Sequence, residues 1–324
     1  DTAVAQGQKL AADGADILDI GGESTRPFSD PVSAEEEIER VIPVIEKLAD
    51  QLTIPISIDT MKAEVARRAI EVGASMINDV SALRYDPAMG EVVGKFGTPL
   101  VLMHMLGSPK TMQESPVYDN LIADITNFLK DAIERAQKQG ISKSKLIVDP
   151  GIGFGKTLSH NLFLIRHLYA FAALGVPILI GPSRKAFIRK LLKDEHNDDI
   201  APDLPIVETG TQAAVAAAVL RGAHIIRVHD VANTRATIRI LDAIRSAQDN
   251  ETPRNLHKRH PNGACCMMIS HQNRNHRTCF YPVRLLGILL VLLLCSLKPV
   301  QSSNVNEIEI LIPVDPYKLP DGLT

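Results

Sequence analysis

One pattern recurs through the first two thirds of the chain and leaves few folds open. An apolar run stops on a polar side chain, a loop follows, and a helix follows the loop. Ile17-Leu18 stops at Asp19, Ile54-Pro-Ile-Ser-Ile58 at Asp59, Met76-Ile-Asn78 at Asp79 and Leu146-Ile-Val148 at Asp149. The last case is the sharpest. Asp149-Pro-Gly-Ile-Gly-Phe-Gly-Lys156 sets three glycines at alternate positions behind a carboxylate and closes on a lysine. Glycine lets a backbone turn sharply and come close to a ligand. A strand that ends on an acid and opens into such a loop is how an α/β protein places polar groups at the rim of a sheet.

The spacing predicts strands near 16–20, 55–59, 75–79, 99–104, 145–149, 177–181 and 224–228. Helices are predicted near 1–14, 34–50, 62–72, 86–96, 118–139, 160–174, 185–193, 207–221 and 231–247, the second opened by a capping box at Ser33-Ala-Glu-Glu36. Many strands are continuous apolar runs, as in a parallel sheet covered on both faces, and the intervals between them are long enough for crossover helices. The fold class is α/β, a (β/α)8 TIM barrel, which takes about 250 residues. It is read as N-terminally truncated: the first strand would lie upstream of Asp1, leaving a gap between the last strand and residues 16–20. An open doubly wound sheet is the runner-up. The barrel is favoured because polar residues follow every strand rather than one switch point.

Composition excludes some functions. The net charge is -3, aromatic residues make up 4 % and there is no Trp, so neither an electrostatic footprint nor a stacking platform for nucleic acid is expected. Cys265, Cys266, Cys279 and Cys295 are the only cysteines. The barrel region has none, which suits a reducing cytoplasm. The segment 249–282 is polar and basic and reads as a linker. The segment 283–300 is an apolar run that approaches the ~20 residues of a membrane span, and the basic residues before it put that side in the cytoplasm. On this reading a cytoplasmic barrel is tethered to the inner membrane, and 301–324 begins an extracytoplasmic piece. The domains are therefore 1–248, 249–282, 283–300 and 301–324. The Cys and His residues around 265–279 match no standard zinc spacing.

The candidate chemistry sits on the strand ends. Asp59, Asn78 and Asp149 offer acceptors and donors for a flat, nitrogen-rich heterocycle with amino and lactam edges. Each alone also suits a helix cap, but three in register point to one mouth. Glu23-Ser-Thr-Arg26 follows a strand; Thr25 offers a hydroxyl, and Arg26 a planar fork suited to phosphate oxygens. In Gly181-Pro-Ser-Arg-Lys185, Ser183 is expected to cap the next helix and Lys185 to reach the mouth. Arg227-Val-His229 follows the last strand, and alternation puts Arg227 and His229 on one side, where they suit a diphosphate.

Seven segments together closely resemble the dihydropteroate synthase family: 19–27 (Asp-Ile-Gly-Gly-Glu-Ser-Thr-Arg-Pro), 57–60, 77–81, 102–105, 149–156, 183–185 and 227–230. The resemblance covers about residues 1 to 247. It implies a TIM barrel that condenses 6-hydroxymethyl-7,8-dihydropterin diphosphate with 4-aminobenzoate in folate biosynthesis. Carried over by position, Asp59, Asn78 and Asp149 are pterin contacts, with Met103 and Phe154 as pocket walls. Lys185 meets the pterin carbonyl side. Thr25, Arg227 and His229 meet the diphosphate, and Arg26 belongs to the family's mobile second loop. Lys185, Arg227 and His229 are the catalytic set. The resemblance also implies Mg²⁺, whose family ligand lies in the missing N-terminal segment, and a homodimer. Ala186 stands where some members carry Ser. Two alternatives are weighed: a pterin-binding methyltransferase-type barrel, which needs no diphosphate cradle, and a non-catalytic membrane-tethered remnant. The last part of the tail, 305–323, is similar to the start of YbbR-type domains.

Overall fold

The computed structural model describes residues 2–25, 29–194, 199–247 and 307–313. Among them eight strands alternate with nine α-helices. The strands are β1 Ile17–Gly21, β2 Ile56–Asp59, β3 Met76–Asp79, β4 Leu100–Met103, β5 Leu146–Asp149, β6 Leu179–Ile180, β7 Ile225–Val228 and β8 Glu307–Pro313. The helices are α1 Thr2–Ala12, α2 Ala34–Ala49, α3 Ala63–Glu71, α4 Met89–Phe96, α5 Leu121–Lys138, α6 Leu158–Arg166, α7 Ala186–Leu192, α8 Pro205–Leu220 and α9 Val231–Ser246.

Local chemistry explains where helices start. Ser33 accepts the Glu36 N–H at 3.1 Å, Asn120 accepts from Ala123 at 3.2 Å and Thr157 accepts from His160 at 3.1 Å. Each satisfies a donor that the first turn leaves unpaired. The box expected at Ser33 is half made, because the Glu36 carboxylate turns to Arg40 instead. The helix expected over 160–174 is divided: α6 stops at Arg166, and 168–174 tightens into a 3-10 helix that ends at Gly175.

β1 to β5 pair in parallel in sequence order, and β6 pairs in parallel with β7. A parallel bridge from Val148 to Ile178 joins β5 to β6. The sheet thus closes on itself, which sets aside the open doubly wound alternative. The gap expected beside β1 is a correction. β8 lies there and pairs antiparallel with β1, Leu18 opposite Ile310, and with β7, Val228 opposite Ile310. Unpaired strand edges leave backbone N–H and C=O groups without partners, and a segment rich in isoleucine supplies the missing ladder. Residues 307–313 therefore take part in the barrel sheet.

Successive residues of a strand point to opposite faces, and this positions the site. Ile17, Met76, Val101, Ile147, Leu179 and Ile225 pack together inside the barrel as one apolar ring. The outward residues, such as Leu18, Ile58, Ile77, Leu102 and Val148, form the larger core under the helices. Among the described residues no helix is long and apolar enough to cross a membrane. The apolar run 283–300 lies outside the described residues, as do the linker 249–282 and its cysteines.

Candidate active site

Two residues along each strand from that apolar ring, on the same inner face, stand Asp19, Asn78, Met103, Asp149, Gly181 and Arg227. β2 adds Asp59, two beyond the buried Ser57. Strand register aligns them: Asp59 lies opposite Asn78 and Gly21, and Met103 lies opposite Asp149. The three strand-end residues expected to converge do so at one mouth.

The polar members bind one another. Arg227 donates through Nε to Asp19 Oδ2 at 2.7 Å and through Nη2 to Asp59 Oδ2 at 2.7 Å. Asn78 Nδ2 donates to the same Asp19 oxygen at 2.9 Å. Asp19 is fully buried, and its Oδ1 has no hydrogen-bond partner among the described residues. By sequence Asp19 is a strand end without an assigned role. The available signal was its position two residues beyond Ile17. Asp79, the other strand-ending acid, faces away from the mouth. Its oxygens accept the Ser81 and Leu83 N–H groups at 2.8 and 2.7 Å. It thereby supports a turn in which Ala82 and Leu83 adopt positive φ.

Asp149 is buried at the glycine loop. Its Oδ1 accepts the Gly151 N–H at 2.6 Å. Burial pushes its carboxyl up to about 6, against the pull of that N–H and of nearby Lys156, Lys185 and Arg227. Gly151 has φ +72°, and a Cβ there would lie 1.9 Å from the His104 carbonyl oxygen, so the loop's approach to β4 requires glycine. Lys156 does not point to solvent. It is buried, 3.0 Å from His104 Nδ1 and 2.9 Å from the Phe154 carbonyl oxygen. Burial brings Lys156 down to about 7 and His104 to about 2, so the imidazole is neutral.

Phe154 packs on a cluster of Met61, Val80, Met103, Met105 and Met112, which gives the mouth an apolar wall. Lys185 Nζ lies 4.6 Å from the centre of the Phe154 ring, in cation–π range. Lys185 is itself the residue that precedes α7, with no side-chain cap bond. That corrects the expected cap at Ser183. The Ser183 hydroxyl instead meets His229 Nδ1 at 2.8 Å and accepts the His229 N–H at 3.3 Å. Arg184, between them, is held at φ +56°, a conformation costly for a side chain with a Cβ. Its N–H donates to Thr211 Oγ1 at 3.1 Å.

Arg227 and His229 are therefore both at the mouth but in different bonds, one to the acids and one to Ser183. Thr25 lines a cavity of about 330 Å³ between the loops after β1, β2, β3 and β4, with Met61, Arg84, Met105 and Lys110. Asp59, Asn78, Asp149 and Lys185 are not among the residues that line it. Arg26 lies outside the described residues. The arrangement offers buried carboxylates and an amide with Arg227 bonded between two of the acids, and an apolar wall on which Lys185 rests.

Residues 1–229 match the family model described as pterin binding enzyme. The dihydropteroate synthase of Escherichia coli (strain K12) is 44% identical over 238 residues, spanning 74% of this chain and 81% of that protein. That of Synechocystis sp. is 42% identical over 243 residues, with 75% and 82% covered. The Xanthomonas albilineans dihydropteroate synthase solved with 4-aminobenzoic acid superposes with a TM-score of 0.70 at 45% identity, covering 76% of this chain and 85% of that one. The structure from the same organism in complex with 7,8-dihydropteroate gives 0.67 at 42% identity, over 76% and 86%.

Proposed function

The chain belongs to the pterin-binding enzyme family and, within it, to the dihydropteroate synthases, and from that premise we propose how its mouth serves the reaction. It condenses 6-hydroxymethyl-7,8-dihydropterin diphosphate with 4-aminobenzoate, giving 7,8-dihydropteroate and diphosphate. The observation that supports the assignment of roles is the single inner layer of Asp19, Asp59, Asn78, Asp149 and Arg227, with Lys185 beside it.

Asp59, Asn78 and Asp149 take the hydrogen-bonding edges of the pterin, and Met103 and Phe154 take its faces. Asp19 orients Asn78 and Arg227 through its one bonded oxygen. Lys185 meets the pterin carbonyl side. Thr25, Arg227 and His229, with Arg26 by its position in the sequence, meet the diphosphate. The methylene–oxygen bond breaks and its electron pair leaves with the diphosphate. The pterin ring delocalises the positive charge left on the methylene. The aminobenzoate nitrogen then forms the carbon–nitrogen bond and releases a proton. The chain's part is to place both reactants and to offset charge as it develops on the leaving group. Mg²⁺ is kept in this proposal as a counter-ion of the substrate diphosphate. Among the described residues no group of three His, Cys, Asp or Glu could hold a metal. No residue of this chain is assigned as its ligand.

The methyltransferase-type alternative is disfavoured by the cationic and donor groups at the leaving-group side, which a methyl transfer does not need. Pairing of two copies has support in an apolar groove of about 510 Å³ between α6, α7 and α8, where Leu162 and Leu191 are exposed.

The test is an assay of diphosphate release from the two substrates by the full chain. Lys185→Ala is expected to weaken pterin binding, and His229→Ala mainly to lower turnover. Equal effects of both substitutions on binding and turnover would overturn the roles assigned.

A further inference from the structure

Behind the loop that carries Thr25 lies a buried cluster that the reaction does not use. Lys62 Nζ is 2.6 Å from Glu23 Oε2 and 2.5 Å from Glu37 Oε2. The three side chains come from three places. Glu23 follows β1, Glu37 lies in the first turn of α2, and Lys62 lies three residues beyond Asp59, just before α3. Glu37 is fully buried, and the other two side chains are about nine-tenths buried. The second oxygen of Glu23 accepts the Val32 N–H at 3.1 Å, which closes the far end of the same loop. The loop's base is fixed again where Arg40 donates to the Gly22 carbonyl at 2.8 Å. Gly22 packs so closely on α2 that a Cβ would lie 2.7 Å from Val41 and 2.9 Å from Glu37.

The loop from 22 to 32 is thus held at both ends through one carboxylate, and that carboxylate is held by one ammonium. Burial favours the uncharged form of Lys62, but bonds to Glu23 and Glu37 outweigh it and keep the ammonium charged. Burial raises the Glu37 carboxyl, against the pull of Lys62, and its Oε1 finds no hydrogen-bond partner among the described residues. Two buried carboxylates around one cation are a poor device for stability alone, since buried ion pairs often contribute less than apolar side chains of the same volume.

We propose that Lys62 is a positioning residue for the diphosphate end of the substrate: through its two ion pairs it ties the loop that carries Thr25 to α2 and to the segment following Asp59. The proposal rests on the assignment of Thr25 to the diphosphate. Lys62 touches neither reactant. It sets the distance between the diphosphate side of the mouth and the pterin side, which begins at Asp59 on the same β2–α3 connection.

The experiment compares full-length wild type, Lys62→Met and the double variant Lys62→Met/Glu37→Met. Each is titrated by calorimetry with 6-hydroxymethyl-7,8-dihydropterin and, separately, with its diphosphate; each is also melted. The single variant is expected to melt early, because it leaves Glu37 buried without its cation. The double variant replaces the Lys62–Glu37 pair by apolar side chains and leaves only Glu23 without its cation, still bonded to the Val32 N–H, so it is expected to regain part of the melting temperature. It should bind the pterin alcohol as wild type does, yet bind the diphosphate about tenfold more weakly, as a displaced contact would. A double variant that recovers diphosphate affinity together with its melting temperature overturns the proposal, because the cluster is then structural only. Equal weakening for both pterins overturns it too. A wild-type chain that binds neither pterin overturns the assignment of the mouth itself, and the positioning role falls with it.

Discussion

Two layers of the barrel interior lie on the same strands, on the same face, two residues apart, and they have opposite chemistry. The lower layer, Ile17, Met76, Val101, Ile147, Leu179 and Ile225, is apolar and almost fully buried. The upper layer holds Asp19, Asp59, Asn78, Met103, Asp149 and Arg227, and it is nearly as buried, yet most of its members are charged or polar. An apolar ring needs only volume and shape. A buried polar ring needs every charge offset, and Arg227 does this for two carboxylates at once. The lower layer closes the barrel, and the upper layer holds unlike charges together at its mouth.

The comparison can be broken most directly at Arg227. Arg227→Met removes the guanidinium from between Asp19 and Asp59, and by the rule for breaking a buried pair it should cost about 3–5 kcal/mol. Denaturant unfolding measures this, and diphosphate release should be lost as well. A variant of unchanged stability would mean that the upper layer does not depend on its cation.

A smaller loss, about 3 kcal/mol, is expected for Ile147→Ala in the lower layer, from lost burial and a cavity. Its affinity for the pterin should stay near wild type. If pterin affinity fell with stability, the two layers would not be functionally separate.

Asp149, two residues further along the same strand, should show the reverse. Asp149→Asn removes a carboxylate whose ionisation in the fold is costly. Its stability should therefore hold or rise at neutral pH, while pterin affinity falls about tenfold or more from a lost charged hydrogen bond. The sign with pH follows from the raised value. The folded chain holds the proton more tightly than the unfolded chain, so this group's contribution to stability is full below the ordinary aspartate range. It is lost as pH rises through about 6. On the proposed role of Asp149 as a pterin contact, binding uses the ionised form and should strengthen over the same rise. Calorimetric titration from acid to neutral pH should show that slope in the wild type and a flat line in Asp149→Asn.

Local chemistry in the sequence was enough to place the seven parallel strands, most of the helices, the glycine loop and the strand-end residues Asp59, Asn78 and Asp149. Strand and helix periods, caps and turn residues act over a few positions, and they are written in the order of residues. Which residues would bond to which was decided only by the closed barrel. Arg227 meets Asp19 across 208 positions and Asp59 across 168. Ser183 leaves the expected cap for His229, Asp79 turns away from the mouth although it resembles its neighbours, and β8 enters beside β1 from the far end of the chain. Such pairings carry no local period, because they exist only when strand ends distant in sequence are brought within hydrogen-bond reach.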